Sequence, residues 1–290
     1  MLISGDARQI PLKAQSVQCV VTSPPYWKLR DYGTAGQIGL EPTPEKYVDA
    51  VVDVFREVWR VLKSDGTVWL NLGDSYAKTV FLNDGLKPKD LIGIPWRVAL
   101  ALQADGWYLR SDIIWHKPNP MPESVIDRPT KSHEYLFLFT KKMRYYYDAD
   151  AVREPNAINP NWNYGSERYR RIITQDVYGT DGDNKRRKAG PKGWSGLAPS
   201  GPHGSGRNRR TVWTVPTQPT KGAHFATFPE KLIEPCILAG SKEGDIVFDP
   251  FVGSGTTIQV AKRHNRKGVG LDLAYQDIAK IRINNIKKEK

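Results

Sequence analysis

Four residues near the start of the chain, Ser23, Pro24, Pro25 and Tyr26, are suited to holding an amino group. Proline has no backbone N–H, so two successive prolines leave carbonyl oxygens free to accept hydrogen bonds. The Ser23 hydroxyl is a further acceptor, and the Tyr26 ring can stack on a planar base. The competing interpretation is an ordinary Ser-Pro-Pro loop whose aromatic residues pack in the core.

A second segment, near the end of the chain, contains two glycines separated by one residue. Its residues are Asp249, Pro250, Phe251, Val252, Gly253, Ser254, Gly255, Thr256 and Thr257. This spacing lets a backbone turn sharply and approach a ligand at the carboxyl edge of a sheet. The segment lacks the third glycine of a dinucleotide fingerprint and the Gly-Lys-Ser/Thr of a phosphate-binding loop, which disfavours nucleoside triphosphates. The next predicted strand ends at Asp272, whose carboxylate can accept both ribose hydroxyls, so a nucleoside without pyrophosphate fits.

The net charge of +12 is concentrated in the middle of the chain. Residues 151–215 contain twelve Lys or Arg against five acidic residues, with Trp and Tyr interleaved and many glycines. Basic charge combined with stacking groups on a pliable backbone is typical of nucleic-acid binding. A solvated loop without a partner is the alternative. The two cysteines, Cys19 and Cys236, have no Cys or His at metal-ligand spacing, so we expect buried thiols and no metal.

The elements that must position these segments alternate between strands and helices. Strands are predicted over 2–6, 19–22, 67–72, 111–116, 134–140, 245–248 and 267–271, and helices over 45–62, 90–104, 229–239, 255–264 and 275–287. This alternation predicts an α/β fold with a doubly wound, mostly parallel, seven-stranded sheet. No long helix separates the fourth and fifth strands, so we expect them to form an antiparallel hairpin at one edge.

Together the two segments resemble the β arrangement of the amino-methylating DNA methyltransferases, the N4-cytosine/N6-adenine family. In that arrangement a Ser-Pro-Pro-Tyr motif comes first, target recognition follows, and the cofactor motif Asp-Pro-Phe-x-Gly-Ser-Gly-Thr-Thr comes last. Residues 69–76 and 224–232 also match, so the resemblance covers most of the chain. It implies a Rossmann-like fold, S-adenosyl-L-methionine as cofactor and double-stranded DNA as substrate. The expected division is a catalytic half (1–150), an inserted basic target-recognition region (151–215) and a cofactor-binding half (216–290).

The resemblance also implies roles for individual residues. Ser23 and Pro24 would accept the two N–H bonds of a flipped base, with Pro25 and Tyr26 completing the catalytic motif. Cofactor contacts are implied at Asp6, Phe228, Asp249, Pro250, Phe251, Gly253, Gly255, Thr256, Thr257 and Asp272. We expect DNA contacts from Trp27, Lys28, Arg30, Arg168, Arg170, Arg171, Lys185, Arg186, Arg187, Lys188, Arg207, Arg209 and Arg210.

The reaction itself is narrowed by the type of nucleophile. Methylation of a ring carbon would require a Pro-Cys nucleophile in the catalytic motif, which is absent. Within the family, Thr-Ser-Pro-Pro-Tyr is associated with N4 of cytosine and Asp-Pro-Pro-Tyr with N6 of adenine, with exceptions in both directions. We expect cytosine, and adenine is the alternative. RNA or protein methylation and a catalytically silent DNA-binding module are the remaining alternatives.

No secretion signal and no run of about 18 apolar residues is present, so a membrane partner is not expected. The sequence predicts a cytoplasmic, nucleoid-associated protein encoded by a prokaryote or phage. It leaves open whether the chain forms a homodimer and whether a cognate restriction endonuclease accompanies it.

Overall fold

The computed structural model describes residues 1–78, 85–155, 206–218 and 228–273 of the 290-residue chain. The predicted helix over 275–287 lies outside these residues. Within them, no helix is long and apolar enough to cross a membrane.

Eight strands of the described residues form one mixed sheet. They are β1 (Leu2–Ser4), β2 (Val17–Thr22), β3 (Leu62–Leu72), β4 (Tyr108–His116), β5 (His133–Thr140), β6 (Val212–Thr214), β7 (Ile246–Asp249) and β8 (Lys267–Asp272). Their order across the sheet is β1-β8-β7-β2-β3-β5-β4-β6. The mostly parallel α/β fold is confirmed, with one strand more than the seven predicted, because β6 pairs in parallel with β4.

The predicted hairpin is present, but it is not the sheet edge. β5 is antiparallel to both β3 and β4, and the edge is formed by β6. β6 has three residues and carries a single buried side chain, Trp213, so it shows little of the periodicity that identifies a strand. Val212–Thr214 thus belongs to the sheet although it falls inside the range predicted for target recognition.

Four helices lie within the described ranges: α1 (Pro44–Val61), α2 (Ile94–Ala104), α3 (Glu230–Gly240) and α4 (Thr256–Arg263). The Thr43 hydroxyl accepts the Lys46 N–H at 3.3 Å and so caps α1. α2 begins four residues later than predicted, at Ile94, and the Asp74 carboxylate accepts the N–H groups of Gly93 and Ile94 there.

The sheet is covered on both faces, which explains why every residue of β2 is buried. Alternate residues of a strand point to opposite faces. Val20 accordingly joins the cluster that contains Phe55 of α1, whereas Val21 joins the cluster that contains Leu232 of α3. The helices therefore cover the sheet from both sides and leave its carboxyl edge for a site.

Residue contacts divide the chain into two compact units. One consists of Met1–Val152 and Arg210–Lys290 and contains the whole sheet. The other is Arg153–Arg209, in which the backbones of Glu154 and Arg207 exchange two hydrogen bonds of 2.9 Å.

Candidate active site

The strands converge on one edge of the sheet. β1, β8, β7, β2 and β3 are parallel to one another, so their carboxyl ends meet there. β5 runs the opposite way, and therefore its first residues lie at the same edge. A cavity of about 570 Å³ opens here and is lined by both motifs, including Ser23, Tyr26, Phe251 and Asp272. The cavity lies at the ends of β2 and β7, the two neighbouring strands at which the strand order reverses: β3 lies beyond β2 on one side, and β8 lies beyond β7 on the other. In open α/β sheets, ligands bind at such a reversal point.

The Tyr26 side chain is held by hydrogen bonds at its hydroxyl. This hydroxyl donates to the Glu134 carboxylate at 2.6 Å, lies 3.2 Å from Asn71 Oδ1 and accepts from the Ser23 hydroxyl at 3.5 Å. Burial, together with the neighbouring Glu134 charge, raises the pKa of Tyr26 well above its usual value. Tyr26 is therefore a neutral phenol with its ring anchored at one end.

Glu134 is the centre of a polar cluster that lines the same cavity. Its carboxylate also accepts from Asn71 Nδ2 at 3.2 Å and forms an ion pair with Lys117. Sequence reasoning assigned no role to these three residues. Asn71 could have pointed to this cluster, because it is a polar residue inside a buried strand and buried polar side chains are normally hydrogen-bonded.

Two further contacts fix the loop of the catalytic motif. The Tyr47 hydroxyl of α1 donates to the Pro25 carbonyl at 2.9 Å, so this carbonyl is engaged inside the protein. A Cβ atom added at Gly73 would lie 2.5 Å from Cε2 of Tyr26, which is shorter than any real contact. Gly73 thus provides the space that the tyrosine ring occupies.

Asp249 ties the two motifs together from a buried position. Its carboxylate accepts from Thr22 Oγ1 at 2.6 Å, Thr257 Oγ1 at 2.7 Å and the Phe251 N–H at 3.0 Å. Burial raises the pKa of Asp249 to about 6, because desolvation outweighs the hydrogen bonds that favour its charge. These bonds join the ends of β2 and β7 to the first turn of α4.

Asp272 lies at the carboxyl end of β8 and lines the cavity. Its Oδ2 accepts the Gly253 N–H at 3.0 Å, which holds the glycine turn against the strand end. Gly253 has φ +45°, in the left-handed region that favours glycine. Asp6 follows β1 and also lines the cavity, and the Arg8 guanidinium beside it lowers the pKa of its carboxyl.

Most predicted cofactor residues line the cavity. They are Asp6, Phe228, Asp249, Pro250, Phe251, Gly253, Thr256 and Asp272. Gly255 and Thr257 do not belong to its wall. Gly255 has φ +83° and precedes α4, and Thr257 is fully buried with its hydroxyl bonded to Asp249. Both residues therefore support the conformation of the glycine turn and do not line the cavity.

The structure describes only some of the residues that were predicted to contact DNA. Trp27 is 3% exposed and its indole N–H donates to the Glu41 carbonyl, so the predicted DNA contact there is corrected to a packing role. Lys28 is exposed, with its ammonium on the Pro42 carbonyl, and Arg30 lines the cavity.

The remaining basic residues are divided between the two units and the undescribed part of the chain. Arg210 belongs to the unit that contains the sheet, whereas Arg207 and Arg209 belong to the second unit, where Arg207 pairs with Glu154 at 3.5 Å. The other predicted contacts lie outside the described residues: Arg168, Arg170, Arg171, Lys185, Arg186, Arg187 and Lys188.

Known proteins are similar to this sequence over nearly its whole length. The family described as DNA methylase, which groups N6 and N4 methyltransferases, matches residues 17–281. The Type II methyltransferase M.Cfr9I of Citrobacter freundii is 46% identical, over 97% of this chain and 87% of the relative. The Type II methyltransferase M.SmaI of Serratia marcescens is 45% identical, over 97% of this chain and 90% of the relative.

Solved structures share the fold. PvuII DNA methyltransferase, described as cytosine-N4-specific, superposes with a TM-score of 0.67 at 21% identity, over 99% of this chain and 88% of its own. A Thermus thermophilus protein, described as a DNA modification methylase and solved with S-adenosyl-L-methionine, has a TM-score of 0.61 at 26% identity, over 98% and 93% of the two chains. The chain therefore belongs to the DNA methylase family, as the order of its motifs indicates, and it is an S-adenosyl-L-methionine-dependent DNA methyltransferase.

Proposed function

We propose that this methyltransferase modifies N4 of cytosine in duplex DNA. The observation that carries the proposal is Ser23, a neutral hydroxyl that lines the cavity next to Tyr26 and opens the Pro-Pro-Tyr motif. An exocyclic amino group presents two N–H donors, for which a hydroxyl oxygen and a backbone carbonyl are matching acceptors. N6 of adenine presents the same two donors. The proposal of cytosine therefore rests on the first residue of the motif, which is Ser23 here and aspartate in the form associated with adenine.

The lining of the cavity fits the proposed cofactor. Ribose hydroxyls are donors and require acceptors, and we assign them to the Asp272 carboxylate beside the Gly253 turn. Phe228, Pro250 and Phe251 supply apolar and aromatic surface, and an aromatic face near a sulfonium is favourable by roughly 0.5 to 2 kcal/mol. We assign Asp6 to the adenine side. S-adenosyl-L-methionine, when bound, supplies a methyl group already activated by the positive charge on sulfur.

The chain's task in this mechanism is to prepare a weak nucleophile. The amino lone pair is delocalised into the base, and hydrogen bonds from both N–H groups to Ser23 Oγ and the Pro24 carbonyl draw the nitrogen toward tetrahedral geometry. Its lone pair would then point at the methyl carbon, and transfer would be direct: the nitrogen–carbon bond would form as the carbon–sulfur bond breaks, the thioether S-adenosyl-L-homocysteine would leave, and the amino group would release one proton. Tyr26 stacks on the base, and the hydrogen bond to Glu134 fixes the position of the hydroxyl end of its ring.

A base stacked in a duplex cannot reach the cavity, so the target nucleotide must flip out at a cost of a few kcal/mol. We propose Lys28, Arg30 and Arg210, together with the basic region 151–215, as contacts to the DNA backbone. The names of the Type II relatives support a companion endonuclease that recognises the same site.

Digestion of methylated duplex DNA to nucleosides tests the proposal. We expect N4-methylcytosine, and N6-methyladenine in its place would contradict the assignment of the base. Transfer to RNA but not to duplex DNA would contradict the substrate. Sequencing the product at single-base resolution then identifies the recognised site, and DNA methylated there should resist an endonuclease that cuts that site.

A further inference from the structure

The connection between β4 and β5, residues 117–132, exposes two large apolar side chains, Met121 and Ile126. Met121 is 85% exposed and Ile126 is fully exposed, at 103%. Met121 also lines the cavity that contains Ser23 and Tyr26. Single exposed apolar residues are common on protein surfaces, so exposure alone indicates nothing. The position and the construction of this connection are what require explanation.

The connection, which we call the mouth loop, begins and ends at the catalytic edge. β4 is antiparallel to β5, which is antiparallel to β3, so the last residue of β4 lies at the same edge as the end of β3. The mouth loop therefore leaves the sheet where the cavity opens and returns there. Its base is closed by a 2.8 Å hydrogen bond from the Lys117 N–H to the Ser132 carbonyl.

Ion pairs and prolines fix the backbone of the mouth loop. The Glu123 carboxylate accepts from the Arg128 guanidinium at 2.7 Å and from the Lys131 N–H at 3.2 Å, which closes a turn with Ile126 inside it. Arg128 also lies over the Tyr76 ring at 3.8 Å. Four prolines restrict the backbone further: Pro118, Pro120, Pro122 and Pro129.

Two more contacts tie the mouth loop to neighbouring segments. Asn119 exchanges hydrogen bonds with the Thr217 backbone at 2.9 and 3.3 Å, and Lys89 pairs with Asp127 at 2.6 Å. A loop anchored in this way holds its side chains in place at little further cost in conformational entropy. Asn119, Glu123, Asp127 and Arg128 are engaged in these contacts, whereas Met121 and Ile126 are exposed.

We propose that the mouth loop is a wedge that enters the DNA duplex at the target base and stabilises the flipped state. Apolar side chains such as Met and Ile insert between base steps in other DNA-binding proteins, where they replace lost stacking contacts. In this enzyme the space left by the departing base needs such a filler, and Met121 lines the cavity that must receive the base. The inference rests on the proposed function in that the target amino group belongs to a base stacked in a duplex.

The test compares the Met121→Ala/Ile126→Ala double variant with the wild type in single-turnover methylation. One duplex carries the target base correctly paired, and the other carries it mispaired, because a mispaired base flips at lower cost. We expect the double variant to be slower than wild type by roughly tenfold or more on the paired duplex and by about threefold or less on the mispaired one. Affinity for S-adenosyl-L-methionine should be unchanged in both proteins.

The matched control is Leu100→Ala/Met143→Ala, which removes two apolar side chains that are 54% and 68% exposed outside the mouth loop. It should leave both rates unchanged. Wild-type speed of the wedge variant on the paired duplex overturns the proposal, and so does an equal loss on both duplexes. Because rates are ratios to wild type on whichever base is methylated, modification of adenine would overturn the proposed base while leaving this comparison readable.

Discussion

Thr22 and Asp249, which are 227 residues apart in the chain, are joined by a buried hydrogen bond of 2.6 Å between Oγ1 and Oδ1. Thr22 immediately precedes Ser23, and Asp249 begins the glycine-containing motif. The bond links the ends of β2 and β7, so the catalytic loop and the glycine turn are set against each other by one carboxylate. Two motifs that are far apart in the sequence are thus held next to each other in the site.

This carboxylate predicts a pH-dependent stability. Burial raises the pKa of Asp249 from 3.8 to about 6, so the folded state binds the proton more tightly than the unfolded state does. Its contribution to stability is therefore complete below about pH 4 and is lost as the pH rises through 6. We expect Asp249→Asn, which cannot ionise, to gain about 3 kcal/mol relative to wild type across that interval. Chemical denaturation of both proteins from pH 4 to pH 7 measures this difference, and parallel curves would contradict it.

Ser23 predicts a separation of turnover from cofactor binding. Ser23→Ala removes one of the two acceptors proposed for the amino group, and we expect single-turnover methylation to fall by about 100-fold or more. Affinity for S-adenosyl-L-methionine, measured by calorimetry, should stay close to wild type. Ser16→Ala is the control, since that hydroxyl bonds the Lys13 carbonyl. Near-normal turnover of Ser23→Ala would refute the role.

For Asp272 we expect the opposite result, in which a substitution weakens cofactor binding. Asp272→Ala removes the acceptor proposed for the ribose, and a lost hydrogen bond to a charged group corresponds to roughly a 10- to 100-fold weaker cofactor affinity. Asp272→Asn keeps one oxygen and should lose less. Asp53→Asn, at an exposed pair with Arg56, is the control. Unchanged cofactor binding in Asp272→Ala would reject the assignment.

The Tyr26 hydroxyl predicts a defect in positioning. Tyr26→Phe keeps the stacking ring but loses the bond to Glu134, and displacement of a stacked base by about 1 Å costs up to about 100-fold in rate. Glu134→Gln should cost less in the Tyr26→Phe background than in the wild type, because one of the contacts that it alters, the bond to the Tyr26 hydroxyl, is already absent there. Tyr108→Phe, on a 46% exposed side chain, is the control. Additive losses measured in single turnover would show that the two residues act separately.

Gly73 predicts a steric effect on the same ring. Gly73→Ala places a methyl group 2.5 Å from Cε2 of Tyr26, so either the ring or β3 must shift. Overpacking of this kind costs about 1–3 kcal/mol of stability. We expect methylation to fall more than cofactor affinity does, and thermal unfolding together with single-turnover rates tests this. Full activity with an unchanged melting temperature would show that the ring is free to move.

Several features of this protein follow from sequence alone because they depend on local chemistry. The apolar runs, the Thr43-Pro44 helix start and the glycine turn each use interactions among residues a few positions apart. Carboxyl ends of parallel strands meet at one edge, so two motifs that each follow a strand could be expected to share a site. The family membership and the class of fold were readable for this reason.

Other features were decided by the tertiary structure. Glu134 reaches Tyr26, and Lys117 reaches Glu134, because β5 enters the sheet antiparallel between β3 and β4, which brings the start of β5 and the end of β4 to the catalytic edge. Trp27, expected at the DNA surface, is instead buried, with its indole bonded to the Glu41 carbonyl.

The glycine motif shows the same division within a few residues. Asp249 and Thr257 face each other in the interior, and only the packing of α4 against β7 determines which members of the motif reach the cavity. A linear motif specifies residue types and spacing. Which side chains meet a ligand and which hold the others in place depends on strand direction and burial, and both arise from contacts between residues far apart in the chain.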